Sequence, residues 1–322
     1  MKVALDGSPL TVATGGIRRY TEQLLRALEA TYPEDGFALL APEPGRWWSA
    51  GLPRLLVRDG YTLFHGTDFA VPYLPRVAAV MTLHDLSPWR PEWREETSAR
   101  VRRRTPWLLR LGLATMVITP SEAVRREAIA RFKLDAARVR AVPHGVDARF
   151  RPQPASAHPP YLLTVGTEGK RKNLAVAIEA ARAAGSGLYV IGRGNWPPST
   201  LGVRYLGPVA DDELPQLYAG ATAFLFPSHY EGFGLPMLEA MACGTPVIAS
   251  TDPALREVAG GAALHCDAKD PSAWIDAIRY AQANREELSV KARSKAAEFT
   301  WTHTARLTHE VYEEALCRRA AR

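Results

Sequence analysis

Residues 221–250 read ATAFLFPSHYEGFGLPMLEAMACGTPVIAS. Ala221 to Phe226 is a short apolar run, Thr245 to Ser250 is another, and Pro236 to Cys243 between them has helical composition. Strand, loop, helix and strand in that order make a parallel pair, because parallel strands need a crossover of about a dozen residues or more. Pro236 suits the first position of the helix and Gly244 the residue just past its end. The preceding chain repeats the pattern. Tyr161–Gly166, Leu188–Gly192 and Val203–Gly207 read as strands, with helices over Asn173–Ala184 and from about Asp212 to Gly220. Alternation of this kind builds a parallel sheet with helices on both faces.

The first half alternates too. Lys2–Leu5, Phe37–Ala41, Thr62–His65, Ala78–Leu83, Met116–Thr119 and Val139–Val142 read as strands, with helices over Ile17–Thr31 and Ser121–Phe132. Residues 151–160, RPQPASAHPP, are rich in proline and small residues and read as a linker. The fold class expected is therefore α/β with two Rossmann-like domains. They are placed at residues 1–152 and 153–301, with a final amphipathic helix over about 302–320. A length of 322 residues fits two ordinary cores better than one.

Composition narrows the class. A hydrophobic fraction of 47% with 23% charged residues is that of a globular protein, and no apolar run is long enough to span a bilayer. The first residues read as a strand, not a signal peptide. Cys243, Cys266 and Cys317 show no metal spacing, so a reduced, cytoplasmic protein is the simplest reading. The net charge of +6 is uneven: residues 1–150 carry 22 Lys and Arg against 16 Asp and Glu, and residues 151–322 carry 18 of each. Arg100, Arg102, Arg103 and Arg104 form the densest run. It reads either as a solvated helix face or as a surface for an anionic partner, peripheral membrane included. Trp47, Trp48, Trp89, Trp93 and Trp107 share that half, where aromatics serve either a core or a membrane interface. Nucleic-acid recognition motifs are absent.

Four constellations carry chemistry. In the first, the N–H groups around Gly234–Met237 open a helix just beyond a strand end, where open parallel sheets bind ligands and helix N-termini attract anions. Glu231 and Glu239, with seven residues between them, suit the hydroxyls of a sugar or ribose. The second is Gly166-Thr167-Glu168-Gly169-Lys170-Arg171-Lys172-Asn173, a loop with three cations able to neutralise a diphosphate. The third is Thr14-Gly15-Gly16-Ile17-Arg18, either an ordinary turn or a phosphate-facing loop. The fourth is His84-Asp85 at a strand end, where His84 is either structural or faces a reacting sugar. Asp211-Asp212-Glu213 is not a metal motif; it opens a helix, where acids cap N–H groups.

At these residues the chain resembles the retaining glycosyltransferases of family 4 (group 1), which have the GT-B fold. Glu231 to Glu239 matches that family's paired-glutamate motif, and the match continues through Gly244-Thr245-Pro246 and Glu257-Val258-Ala259-Gly260. Val165-Gly166 with Arg171-Lys172-Asn173-Leu174 matches its phosphate loop, and Pro143-His144-Gly145-Val146-Asp147 the segment before the linker. Gly15-Gly16-Ile17 with Tyr20, and His84-Asp85, match its N-terminal pieces. Some members carry an arginine where Thr167 stands, which leaves Lys170 as the residue to compensate.

The resemblance implies roles. Glu231, His84 and Lys172 become catalytic candidates. Gly15, Gly16, Arg171, Lys172, Gly232, Phe233, Gly234, Leu235 and Glu239 become donor-binding candidates in a cleft between two domains. Arg18 and Asp85 are the acceptor candidates. The last helix is implied to pack back on the N-terminal domain. The implied reaction moves a sugar with retention from a nucleoside-diphosphate sugar, GDP-mannose first and UDP-sugars next, to a glycan or lipid-linked acceptor. No metal and no cofactor are expected, because Arg171, Lys172 and the helix N-terminus occupy the place of a cation. A sugar-nucleotide epimerase on the same fold, or a basic binding protein without activity, are the rival readings.

Overall fold

The computed structural model describes the chain except for residues 12–14, 44, 94–97, 155–159, 167–168, 196–198, 200–201 and 322. It divides into two compact units, Met1–Gly145 with Thr300–Arg322, and Val146–Phe299.

Unit 1 contains β1 (Lys2–Asp6), α1 (Gly16–Thr31), β2 (Gly36–Leu40), α2 (Leu52–Arg58), β3 (Leu63–Gly66), β4 (Ala78–Thr82), α3 (Ala99–Arg110), β5 (Met116–Thr119), α4 (Glu122–Phe132), β6 (Val139–Ala141) and the final helix α11 (Trp301–Ala320). Its strands line up as β2-β1-β3-β4-β5-β6, all parallel. β3, β4 and β5 are buried along their whole length, as strands covered on both faces must be. α1 buries Tyr20, Thr21, Leu24, Ala27 and Leu28, a stripe at helical spacing. Val3, Leu5, Val80 and Ile118 of the sheet share a core with Val311, Tyr312 and Ala315 of α11.

Unit 2 contains β7 (Tyr161–Val165), α5 (Leu174–Ala183), β8 (Gly187–Ile191), β9 (Val203–Gly207), α6 (Leu214–Gly220), β10 (Ala223–Phe226), α7 (Leu235–Ala242), β11 (Val247–Ser250), α8 (Pro253–Ala259), β12 (Leu264–Cys266), α9 (Pro271–Ala283) and α10 (Arg285–Ala296). The parallel order is β9-β8-β7-β10-β11-β12. Counted from β7 as the first strand, this is 3-2-1-4-5-6, the doubly wound order of dinucleotide-binding sheets. The winding reverses between β7 and β10 in unit 2 and at β1 and β3 in unit 1. Those are the points where the loops after neighbouring strands part to leave a crevice.

The passage out of unit 1 lies at Gly145–Val146, ahead of the proline-rich segment, and the return lies at Phe299–Thr300. The reason is local. Val146 N–H donates to Phe299 O at 3.1 Å, so the two passes of chain leave together. A Cβ on Gly145 would meet Trp301 N at 2.2 Å, and only glycine admits so close an approach. Of the segment read as a linker, residues 155–159 lie outside the described residues. α6 begins at Leu214, later than expected. Glu213 stands at its N-cap with no side-chain bond to the first turn, so the capping expected of it is not made.

Candidate active site

In unit 2 the loops after β7 and β10 flank the reversal point. They are tied together through backbone: His229 N–H donates to Arg171 O at 2.8 Å, and Arg171 Nη1 donates to Tyr230 O at 3.0 Å. Residues 170–172 form a single 3-10 turn that carries Arg171 and Lys172 towards Glu231. Lys172 Nζ donates to Glu231 Oε1 at 2.6 Å, and Arg171 Nη1 lies 3.3 Å from Oε2. Lys172 also sits over the Phe226 ring, 5.2 Å from its centroid. Lys170 is exposed and pairs with no described carboxylate. Thr167 and Glu168 lie outside the described residues.

Glu231 is almost wholly buried. Burial pushes its carboxyl up, but the charges of Lys172 and then Arg171 outweigh that and hold it below the usual carboxylate range. It is an anion that keeps two cations aimed at one point. Gly232 and Phe233 follow in the same loop, with Phe233 buried in the core. Gly234 is the N-cap of α7 with φ 96°, a left-handed conformation. A Cβ there would stand 2.6 Å from Leu255 Cδ2. The helix starts at Leu235, which places Pro236 second, not first; its missing N–H costs nothing at either position. The N–H groups of this first turn open beside the Glu231 loop. Glu239, one face further along α7, is buried, with Oε2 accepting from Tyr218 OH at 3.1 Å.

In unit 1 the corresponding edge gathers three carboxylates and a histidine. Asp6 ends β1, Asp68 follows β3, and Asp85 follows β4. Burial raises Asp6, which accepts from the backbone and hydroxyl of Ser8. Burial, then the charge of Asp6, pushes Asp68 up to about 6 against the pull of Arg104. His84 Nε2 lies 2.7 Å from Thr67 O. A carbonyl only accepts, so Nε2 carries the proton and Nδ1 keeps the lone pair in the neutral ring. Burial lowers its pKa and favours that neutral form. The rings of Tyr20 and His144 pack beside it at 4.9 and 5.8 Å. Gly15 precedes α1 and Gly16 opens it; Thr14 lies outside the described residues. Arg18 pairs with Glu22 at 2.8 Å and donates to Leu10 O, and Asp85 accepts from Ser87. Both acceptor candidates are thus engaged in local bonds.

Comparison with known proteins agrees with this geometry. Residues 31–150 match the family described as Glycosyltransferase Family 4, and residues 159–284 match Glycosyl transferases group 1. The O-antigen chain mannosyltransferase B of Escherichia coli is 31% identical over 284 residues, which cover 78% of this chain and 74% of that one. The chain belongs to glycosyltransferase family 4, group 1. Two solved structures share its fold, GT-B. Sucrose-phosphate synthase from Thermosynechococcus elongatus gives a TM-score of 0.79 at 22% identity, covering 98% of this chain and 99% of that one. HepE of Anabaena, crystallised with UDP and glucose, gives 0.73 at 17% identity, covering 98% and 100%.

Around this site of the family 4 chain stand further buried residues that the sequence pattern did not single out. Asp252, at the N-cap of α8, is buried beside Glu231 and accepts from the N–H groups of Ala254 and Leu255 at 3.0 and 3.3 Å. Ser250 Oγ donates to Ser228 O at 2.6 Å, fastening the loop after β10 to the end of β11. Strand, then Asp-Pro, is itself a helix-start signal and was available in Ser250-Thr251-Asp252-Pro253. Tyr218, the partner of Glu239, had no such signal. Among the described residues no group of three His, Cys, Asp or Glu is arranged to hold a metal, and no helix is long and apolar enough to cross a membrane.

Proposed function

We propose that this glycosyltransferase takes its sugar from a nucleoside-diphosphate sugar and transfers it with retention, without a metal, to a glycan or lipid-linked acceptor. The observation that carries this is the cation pair Arg171 and Lys172, held by buried Glu231 at the reversal point of unit 2 beside the first turn of α7. The bond from the anomeric carbon to the diphosphate breaks with positive charge growing on the sugar and negative charge on the leaving oxygen. Two fixed cations and a helix N-terminus stabilise that negative charge where it develops, which is the work a divalent ion does elsewhere. Glu231 and the backbone of Gly232, Phe233, Gly234 and Leu235 are assigned to the sugar and phosphates, and Glu239 to the ribose. The roles given above to Gly15, Gly16 and His84, and to Arg18 and Asp85, belong to the same proposal. Retention without an evident protein nucleophile leads to attack by the acceptor on the leaving-group face.

GDP-mannose is the leading donor, supported by the Escherichia coli mannosyltransferase relative. UDP-sugars come second, supported by the UDP and glucose bound to HepE. Asp6, Asp68 and Asp85 at the strand ends of unit 1 suit an acceptor rich in hydroxyls, since carboxylates accept what hydroxyls donate. A lipid-linked glycan would bring the protein to the cytoplasmic face of a membrane. Calorimetric titration with GDP-mannose and UDP-sugars, with and without EDTA, tests the donor. One of them is expected to bind unchanged in EDTA and more weakly to Glu239→Ala. Binding that needs added metal, or a product of inverted anomeric configuration by NMR, overturns the mechanism.

A further inference from the structure

We infer that the outward face of α3 is a docking surface for an anionic lipid bilayer. Arg100, Arg103, Trp107, Arg110 and Leu111 fall at helical spacing along α3 and its C-cap, and all five are exposed. Trp107 and Leu111 are each 63% exposed. The opposite face is committed to the core through Thr105, Leu108 and Leu109. The outward face of α3 therefore carries two apolar side chains, Trp107 and Leu111, that unit 1 does not cover.

An isolated exposed leucine is ordinary. A tryptophan and a leucine one turn apart, set among three arginines, are not. Of the tryptophans in residues 1–150, Trp47 is buried and Trp48, Trp89 and Trp93 are partly covered; Trp107 alone stands out into solvent. α3 contains no acidic residue, and Arg100, Arg103 and Arg110 pair with no carboxylate among the described residues.

The chemistry selects the occupant. Indole settles at the boundary between hydrocarbon and water, where its ring is buried and its N–H remains wet. Arginine stems lie along apolar surface while the guanidinium reaches phosphate. Basic residues next to an anionic leaflet add their attractions, and a single shallow apolar anchor makes binding reversible. A nucleic acid would use the arginines but leave Leu111 without a partner. The surface gives the lipid-linked acceptor named above a place to be met, and for that purpose it rests on the proposed function.

The test is sedimentation of the full chain with vesicles of phosphatidylcholine alone and of phosphatidylcholine mixed with phosphatidylglycerol. Binding is expected to the mixed vesicles only, and to weaken as salt is raised. The variant R100Q/R103Q/R110Q is expected to bind about tenfold or more weakly, and W107S/L111S to lose binding with its melting temperature retained, since both side chains are exposed. Equal binding by wild type and both variants, or none by wild type to the mixed vesicles, overturns the assignment. So does a dimer that W107S/L111S dissolves in the absence of vesicle binding, which would make the stripe a self-association face. No donor or acceptor enters the assay. Vesicle binding that depends on these five residues therefore supports the surface even if donor titrations overturn the proposed reaction.

Discussion

Lys172 Nζ and Glu231 Oε1 stand 2.6 Å apart in a buried setting, so a cation proposed to hold the leaving diphosphate is oriented by a carboxylate proposed to face the sugar. In the proposed function the pair would couple the two halves of the donor. Lys172→Ala removes the cation and leaves Glu231 with Arg171 alone. Loss of one preorganised charge of this kind costs about 100- to 1000-fold in rate. The expected outcome is a fall of that size in kcat in a nucleotide-release assay, with Lys172→Arg recovering little because a planar fork does not replace a point charge. A rise in KM with kcat unchanged would show that Lys172 binds ground state and transition state alike.

The Glu231 loop depends on one backbone conformation. Gly234 has φ 96°, and a Cβ there would sit 2.6 Å from Leu255 Cδ2. Gly234→Ala thus adds left-handed strain to a clash with a core side chain. Together these are expected to cost about 1–3 kcal/mol, read as a lower midpoint in urea unfolding. The same variant should lose donor binding more than it loses stability, since the first turn of α7 moves with residue 234. A variant that is destabilised but binds donor with unchanged affinity would separate the loop from the site.

The strands and the helices flanking the site were legible from periodicity because the central strands are buried apolar runs ended by polar loops. α2, α3, α8, α9, α10 and β12 were not, for different reasons. α3 is so arginine-rich that its buried face rests on few residues, Thr105, Leu108 and Leu109. β12 is three residues long and half-exposed. Within the site, Arg171, Lys172 and Glu231 were each visible as motif letters, but their convergence on one point depends on β7 and β10 being neighbours across the sheet. The carboxylates of Asp6, Asp68 and Asp85 come from three separate strand ends, and no spacing along the chain brings them together. Charge alone does not tell Lys170 from Lys172; the family motif singled out Lys172, and the turn over residues 170–172 carries it to Glu231.

α11 is fastened to the unit 1 sheet by a buried polar chain. Tyr312 OH lies 2.7 Å from His65 Nδ1, His65 Nε2 lies 2.8 Å from Thr82 Oγ1, and Thr82 Oγ1 lies 3.1 Å from Tyr20 OH. Burial lowers His65 to about 3, so it is a neutral link at any working pH. Tyr312→Phe fills the same space but leaves a fully buried ring nitrogen unsatisfied, which costs about 1–3 kcal/mol. A drop in melting temperature is expected, together with faster amide exchange in α11. Unchanged stability would mean that water replaces the hydroxyl.

Asp252 gives a prediction with a definite sign in pH. Burial, with the nearby Glu231 charge adding to it, pushes its carboxyl up to about 6 against an ordinary 3.8. The folded protein therefore holds this proton more tightly than the unfolded chain does. The stability it contributes is fully present below about pH 4, falls as pH rises through about 6, and is absent above that. Two pH units of difference correspond to about 3 kcal/mol at most. Asp252→Asn keeps an oxygen to accept from Ala254 and Leu255 at the N-cap of α8 and carries no charge at any pH. Compared with wild type at the same pH, the variant is expected to be more stable by about 1–3 kcal/mol near pH 7.5 and about equal near pH 3, measured by urea unfolding. A variant weaker by the same amount at both values would show that the charged cap outweighs the cost of burying the ion. The pH slope, not the sign at one pH, separates those two cases.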